Sequence, residues 1–448
     1  ETGFDVMNDY PKFGVWPDAY YMTANQFSAG SGAWAGTGVA AFERDRMLTG
    51  QSPQVVYFDL GPSDWGSMLP ADLDGFAPPP PGAPNYLVEA NADEWEPGLS
   101  DVLQVYEFHV DWANPLNSTL TQVTTLPTAP FDGDMCGFSQ DCIPQPDTSQ
   151  RLDAIGDRLM HRLQYRNFGS HETLVTNLTV DTNGNDHAGV RWFELRRIGG
   201  DWSIHQQGTY APDSDHRWMG SIAMDKVGNI ALGYSVSGSS TYPSIRYAGR
   251  LANDPLGTLG QGEAELVAGS SYQAGGSRWG DYSMMAVDPL DDCTFWYTQQ
   301  YVSEPGSWGN WNTRIGSFQF PGCLGPTGIL AGIVRDSDSG EPIVGARVTA
   351  EADISYVTYS QSSSGNYRYE ILPPDSYTVT AEAYGYQPQM AKEVDVLPEV
   401  TTYQDFDLAP APMHVLSGRV TDSATGWPLY ASIDIEGYPG NRIWTDPA

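Results

Sequence analysis

The apolar positions of this chain fall in short runs of about six to eight residues, rich in aromatic and β-branched types and bounded by Gly, Pro, Asp or Ser, which is how strands read in sequence. The clearest stretch, Arg217 to Phe320, holds two passes of one pattern. In the first, His216-Arg217-Trp218 leads into Gly220 to Asp225, then Asn229 to Ser235, then Tyr242 to Arg250. In the second, Ser277-Arg278-Trp279 leads into Asp281 to Asp288, then Cys293 to Thr298, then Thr313 to Phe318. Three or four consecutive strands recurring about every sixty residues are the signature of a propeller blade.

The same period finds earlier repeats. Lys12 to Asp18, Ala19 to Phe27 and Gly38 to Glu43 form one, with Val55 to Leu60 as its outer strand. Leu69 to Leu73, Asn85 to Ala90 and Val102 to Val110 form a second; the Pro78 to Pro81 run inside it cannot be interior strand, because proline donates no ladder hydrogen bond. Residues 115–150 read as a long loop, and Arg158 to Tyr165, Glu172 to Leu178 and Gly189 to Leu195 form a third repeat. Five blades are thus expected within residues 1–324. Five can close a ring. A six- or seven-bladed ring whose first blades lie upstream of Glu1 fits the sequence equally, and this chain would then leave a sheet edge exposed or pair it with a missing segment.

After Gly325 the texture changes. Gly332 to Asp336, Gly340 to Val348, Gly365-Asn366-Tyr367, Leu372-Pro373-Pro374, Tyr377-Thr378-Val379 and Gly385-Tyr386 stand in an order that resembles the carboxypeptidase regulatory-like (transthyretin-like) module. The resemblance implies a seven-stranded β-sandwich over residues 325–411, with Asp375 where the module usually has Gly. A second copy starts with Leu416 to Asp422 and Gly426 to Leu429, so residues 412–448 read as an incomplete module. Half a sandwich leaves apolar faces unburied. The opening Glu1-Thr2-Gly3 is expected of a mature product or a fragment, so further domains of the same polypeptide are expected at both ends. Tyr10 to Asp18, Tyr165 to Gly169, His216 to Ser221 and Arg278 to Ser283 resemble large secreted bacterial proteins in which a propeller precedes such modules. That likeness implies architecture and an extracellular or cell-surface location, not chemistry. The fold class is therefore all-β: a propeller, a sandwich and the start of another sandwich.

Charge narrows the partners. With 56 acidic and 22 basic residues the formal charge is −34, which repels phosphate backbones and anionic head groups, so nucleic acid is excluded as a partner. No apolar run reaches membrane-spanning length, so membrane insertion is not expected. Such a surface suits solubility, calcium or a cationic ligand. Four cysteines are expected as two disulfides, Cys136 with Cys142 and Cys293 with Cys323, in an oxidising compartment. Zinc is the rival use, but no further Cys or His stands at ligand spacing.

The first strand of each blade lines the channel, and its entry carries a basic residue in three blades: Arg158, Arg217 and Arg278, with His161 and His216 beside them and Lys12 as counterpart in the first. Converging guanidinium groups would bind a carboxylate, as a sialidase-like site needs, with Asp281 and Tyr282 as acid and nucleophile. The Ser-x-Asp-x-Gly-x-x-Trp box of sialidase blades is missing, however, and structural stacking repeated with the blades explains the Arg-Trp pairs as well. A furanosidase-like hydrolase would need two carboxylates across the channel, for which Asp18, Asp72, Asp157, Asp225, Asp281 and Asp288 are available. Asp181, Asn183 and Asn185 offer oxygens at alternate positions, as calcium loops do; an Asn-Gly hairpin turn is the competing reading. Asn117 and Asn177 match the glycosylation pattern. Gly-x-Ser-x-Gly, His-Glu-x-x-His, P-loop and dinucleotide fingerprints are absent. The expected function is a non-catalytic binding or structural part whose propeller engages a glycan or protein surface, with the sandwich modules as spacers. The alternatives are a sialidase- or furanosidase-like glycoside hydrolase and the accessory region of a secreted peptidase.

Overall fold

The computed structural model describes residues 6–445 apart from 65, 76, 96–97, 99, 138, 140, 305–309, 324, 326, 353–354, 362–363, 413–416 and 434–442, and the side chains of 370 and 371 are also outside the description. The chain divides into two compact units, Glu1–Leu324 and Gly325–Ala448.

The first unit is a propeller of five blades whose strands run outward from the axis in chain order. Blade 1 is β1 (Val6–Val15), β2 (Ala19–Ser28), β3 (Trp34–Glu43) and β4 (Val55–Asp59), with the short helix α1 (Arg44–Leu48) before its last strand. Blade 2 is β5 (Leu69–Leu73), β6 (Asn85–Asn91), β7 (Val102–His109) and β8 (Thr119–Pro127). A small ribbon, β9 (Asp141–Ile143) with β10 (Leu152–Asp153), follows. Blade 3 is β11 (Leu159–Asn167), β12 (Glu172–Asp181), β13 (Ala188–Arg197) and β14 (Ser203–Tyr210); blade 4 is β15 (His216–Met224), β16 (Ile230–Ser237), β17 (Ser244–Arg250) and β18 (Glu263–Val267). Blade 5 has three strands, β19 (Met284–Val287), β20 (Phe295–Tyr301) and β21 (Asn312–Phe318). Blades 2 and 3 share one eight-stranded sheet, because β5 pairs in parallel with β11 from Ala71 opposite Leu163 to Leu73 opposite Tyr165.

Three outer strands, β8, β14 and β18, escape the sequence pattern, and β8 lies in the stretch expected to be loop. The reason is solvation. An outermost strand covers little, so β8 (TLTQVTTLP) is exposed over most of its length and carries polar residues where inner strands carry apolar ones.

Apolar faces bury the blades against one another. Tyr21, Val39, Leu87, Val105, Leu163, Leu174 and Phe193 join blades 1, 2 and 3; Trp192, Ile222, Leu232 and Tyr234 join blades 3 and 4; Ala223, Ile245, Met285, Phe295 and Tyr297 join blades 4 and 5. Close approach needs glycine at the tightest points. A Cβ on Gly14 would lie 2.3 Å from the Ala71 carbonyl oxygen, and one on Gly233 would lie 2.5 Å from the Tyr297 ring. Among the described residues, no such core joins blade 5 to blade 1. Those blades meet near the axis, where the Tyr10 and Tyr282 rings are 5.1 Å apart.

The second unit contains a sandwich. One sheet orders as β25 (Asn366–Leu372), β22 (Gly328–Asp336) and β28 (Thr401–Tyr403), with β29 (Phe406–Leu408) also on β22; the other orders as β24 (Ser355–Tyr359), β23 (Arg347–Glu351), β26 (Asp375–Glu382) and β27 (Gln389–Val396). Since β28 and β29 pair with successive halves of β22, they form one interrupted edge, and the count is the expected seven. Asp375 opens β26 in place of the usual Gly, and the Tyr377 hydroxyl donates to the Pro373 carbonyl at 2.8 Å. Leu330, Val348, Tyr369, Val379 and Leu408 fill the core. Beyond it, among the described residues, β30 (Ser432–Ile433) pairs with β31 (Ile443–Trp444) and an isolated bridge joins Thr421 to Pro428; Leu416, at the start of the second copy, lies outside the described residues.

Both disulfides pair as the spacing implies, Cys136 with Cys142 and Cys293 with Cys323. The second ties the turn before β20 to the segment after β21 across a separation of 30 residues. Constraint of the unfolded chain over such a loop is worth about 3 kcal/mol. Replacing Cys293 and Cys323 by Ala should lower the unfolding free energy by about that amount in denaturant titrations, while the Cys136/Cys142 double variant, closing a loop of only 6, should lose less.

Candidate functional site at the propeller axis

Three of the innermost strands break register where they pass the axis: β1 between Asp9 and Lys12, β11 between Met160 and Gln164, β15 between Trp218 and Ser221. A bulge re-aims the side chain at the break. Here it turns Tyr10, His161 and Met219 into one axial cavity, with Gly280 to Ser283 completing the wall from the segment before β19. The cavity measures about 10 Å³, room for about one water molecule and far below the roughly 300–1,000 Å³ of ordinary ligand pockets.

Lys12 fills its side toward blade 1. Its ammonium lies 3.1 Å from the Tyr10 ring centre and 3.6 Å from that of Tyr282, and it has no hydrogen-bond partner among the described residues. Burial, and then the Arg158 guanidinium, push its pKa down to about 6, while Asp281 and Asp9 act the other way. His161 is held down to about 3, first by burial and then by Arg162 and Lys12, so it is a neutral imidazole near pH 7. Burial raises the Tyr10 hydroxyl well above its ordinary value.

Of the residues singled out by sequence, Arg158, Arg278, Asp281 and Tyr282 come together here. Arg158 lies 4.8 Å from the Tyr10 ring and is held by both oxygens of Asp157, at 2.7 and 2.9 Å. Arg278, largely exposed, donates to Asp281, and half of Tyr282 faces solvent beside them. Arg217 is elsewhere. Wholly buried within blade 4, it donates to Asp213 at 2.6 and 2.9 Å, to Glu263 at 2.9 and 3.1 Å and to the Asp215 carbonyl at 2.7 Å, so all five N–H donors are used. His216 accepts from the Ala188 amide at 3.2 Å with its ring 5.0 Å from that of His187, and burial pushes it down to about 4.

Most of the carboxylates offered for a glycosidase pair serve turns or ion pairs. Asp72 holds Arg162 at 2.8 Å, Asp225 accepts the Val227 and Asn229 amides, Asp288 accepts the Trp296 indole N–H and Asp18 accepts from Tyr21. Only Asp157 and Asp281 border the axis, each engaged by the arginine beside it. At the calcium candidate, the Asp181 carboxylate accepts four backbone amides, from Asn183, Gly184, Asp186 and His187, and Asn183 accepts the Asn185 amide. Those are the hydrogen bonds of an Asx-type turn. Asp93, Glu94 and Asp101 gather their carboxylates within 4.8 Å in the loop between β6 and β7. Asn177 is wholly buried on β12, which withholds it from glycosylation; Asn117 is exposed.

The stretch read as loop also shapes this end. Met135, Ile143, Leu152, Ile155 and the Cys136–Cys142 pair pack on Trp218 and Trp279, so the tryptophans of the repeated Arg-Trp pairs anchor it. Gln145 and Gln273 exchange hydrogen bonds at 2.9 and 3.0 Å beneath it. Asp141, Thr148, Gln150, Arg151 and Gly275 line a shallow polar groove over the result. Sequence reasoning overlooked Tyr10: strict alternation cannot foresee a bulge.

Residues 329–409 match the family model of the carboxypeptidase regulatory-like domain. No curated protein matches the chain. Among solved structures, an α-L-arabinofuranosidase from Fusarium graminearum with an iminosugar inhibitor is 10% identical over 71% of this chain and 94% of its own, with a TM-score of 0.35. A Penicillium chrysogenum α-L-arabinanase with arabinobiose is 10% identical over 70% and 93%, at 0.34. Trypanosoma rangeli sialidase with the inhibitor DANA is 10% identical over 81% and 54%, at 0.36. Likenesses at these scores decide nothing about this chain's chemistry.

Two predictions follow from the geometry. Because the folded Lys12 titrates near 6 rather than 10.5, the unfolded chain binds one more proton between those values, and stability rises with pH across that window. Melts from pH 7 to 9 should show a slope of up to about 1 kcal/mol per pH unit that Lys12→Met abolishes. Arg217→Met should cost about 3 kcal/mol of stability, by stranding Glu263, and leave binding at the axial rim intact.

Proposed function

We propose that this chain is the binding part of a secreted or cell-surface protein and not a catalyst: its propeller engages a glycan or protein surface, and the carboxypeptidase regulatory-like module spaces it from neighbouring domains. One observation carries the reading. Each of the three arginines that the repeats place at a blade entry already holds a carboxylate of this chain: Arg158 holds Asp157, Arg217 holds Asp213 and Glu263, and Arg278 holds Asp281. A sialidase-like site needs those donors free. What remains accessible is a rim: the Tyr282 ring, which can stack on a sugar or an aliphatic side chain, the Arg278–Asp281 pair with its outward donors, and the polar groove. Two disulfides support an oxidising compartment. No helix among the described residues is long and apolar enough to cross a membrane.

On a glycan array the wild type should bind without turning over chromogenic glycosides, and Tyr282→Ala or Arg278→Ala should weaken binding at least tenfold at unchanged melting temperature. Turnover in the wild type that Asp281→Asn abolishes would replace this reading with a glycoside hydrolase.

A further inference from the structure

Each blade interface inside the ring has two buried faces, but blades 1 and 5 each keep one face with half-exposed apolar side chains, Ala40 in blade 1 being covered by its neighbours. In blade 1 the cross-strand row Gly14, Tyr21, Ala41 and Val56 is turned into the core shared with blade 2. The opposite face carries the rows Phe13, Met22, Ala40, Tyr57 and Val15, Tyr20, Phe42, Val55. There Phe13 is 51% exposed, Val15 44% and Val55 50%. Blade 5 repeats the arrangement: Met285 and Tyr297 are buried toward blade 4, while Trp296 is 43% exposed and Ile315 66% on the other side. Because the blades follow one another around the axis in chain order, these two bare faces bound one gap.

The axis fixes how much is missing. Innermost strands of neighbouring blades pack along their length: β1 on β5, β5 on β11, β11 on β15, β15 on β19. Strands two blades apart, β1 with β11 and β11 with β19, only touch. No lengthwise packing joins β1 to β19; their contact is the Tyr10 and Lys12 touch on Tyr282, from the segment ahead of β19. That is the spacing of blades with one blade between them.

We propose that the gap receives one further four-stranded blade, apolar on both faces, supplied by the polypeptide that precedes β1, so that the complete ring has six blades. One sheet fills a gap between two apolar faces when they stand two sheet spacings apart, each spacing being about 10 Å. Chain order selects the source. Every blade here packs its first face on the blade before it, and the bare face of blade 1 is the one turned to its predecessor; after β21 the chain enters the sandwich, whose strands pair among themselves. The inference is independent of what the rim binds.

The test compares residues 1–448 with the same polypeptide extended upstream by about sixty residues of its own reading frame, one repeat. The shorter chain should bind anilinonaphthalene sulfonate, and Phe13→Ser with Trp296→Ser should cut that binding severalfold at unchanged melting temperature. The extended chain should bind the dye at least fivefold less, shift Trp296 emission to the blue, and be destabilised by the same two substitutions. Equal dye binding by both chains, or substitutions equally silent in both, overturns the proposal. So does a dimer of the shorter chain that the two substitutions dissociate, which makes a second copy the occupant.

Discussion

The ring depends on keeping arginines charged without water. Alternation along β11 puts Arg162, Gln164 and Arg166 on one face, and each reaches a different blade. Arg162, almost wholly buried, donates to Asp72 at 2.8 Å and to Asp74 at 2.6 Å beside blade 2. Gln164 holds the Met224 amide at 2.6 Å at the end of blade 4 and donates to Asp74. Arg166 reaches Asp292 in the β19–β20 turn of blade 5 at 2.7 Å. An unpaired charge in such a place costs several kcal/mol, whereas a fully partnered one approximately breaks even. The pairing therefore specifies which blades meet at β11 more than it adds to stability.

The same pairing operates at the axial rim. An acid-rich chain offers Arg162, Arg166 and Arg217 carboxylates, while buried Arg191 and Arg250 settle on uncharged oxygens, and the arginines at the axial rim find carboxylates within a few residues: Asp157 for Arg158 and Asp281 for Arg278. Lys12 is the exception. It is buried against two aromatic faces instead of a carboxylate, and burial answers by lowering its affinity for a proton. A shallow rim with the half-exposed Tyr282 is what remains.

The sandwich contrasts with the propeller in how it closes. Its two sheets bury Leu330, Val348, Tyr369 and Val379 between them, while Tyr384, Met390 and Tyr403 stay exposed outside that core. A core closed between two sheets is complete within the module.

Local chemistry was enough for much of this. Alternating aromatic and β-branched runs with Gly, Pro and Asp between them determined the inner strands of all five blades, and the landmarks from Gly332 to Tyr386 determined the sandwich, because strand propensity and turn geometry are short-range. Cysteine spacing gave both disulfides. Outer strands such as β8 stayed hidden since solvated strands carry no apolar signature. Tertiary structure alone decided the rest. Arg158, Arg217 and Arg278 stand at equivalent positions of their repeats, yet Arg217 is consumed inside its blade by Glu263, a residue 46 positions away. Likewise Phe13 and Val15, apolar residues of a blade strand, lie half exposed, because burial depends on which sheet packs opposite a strand, and no period within one strand encodes that.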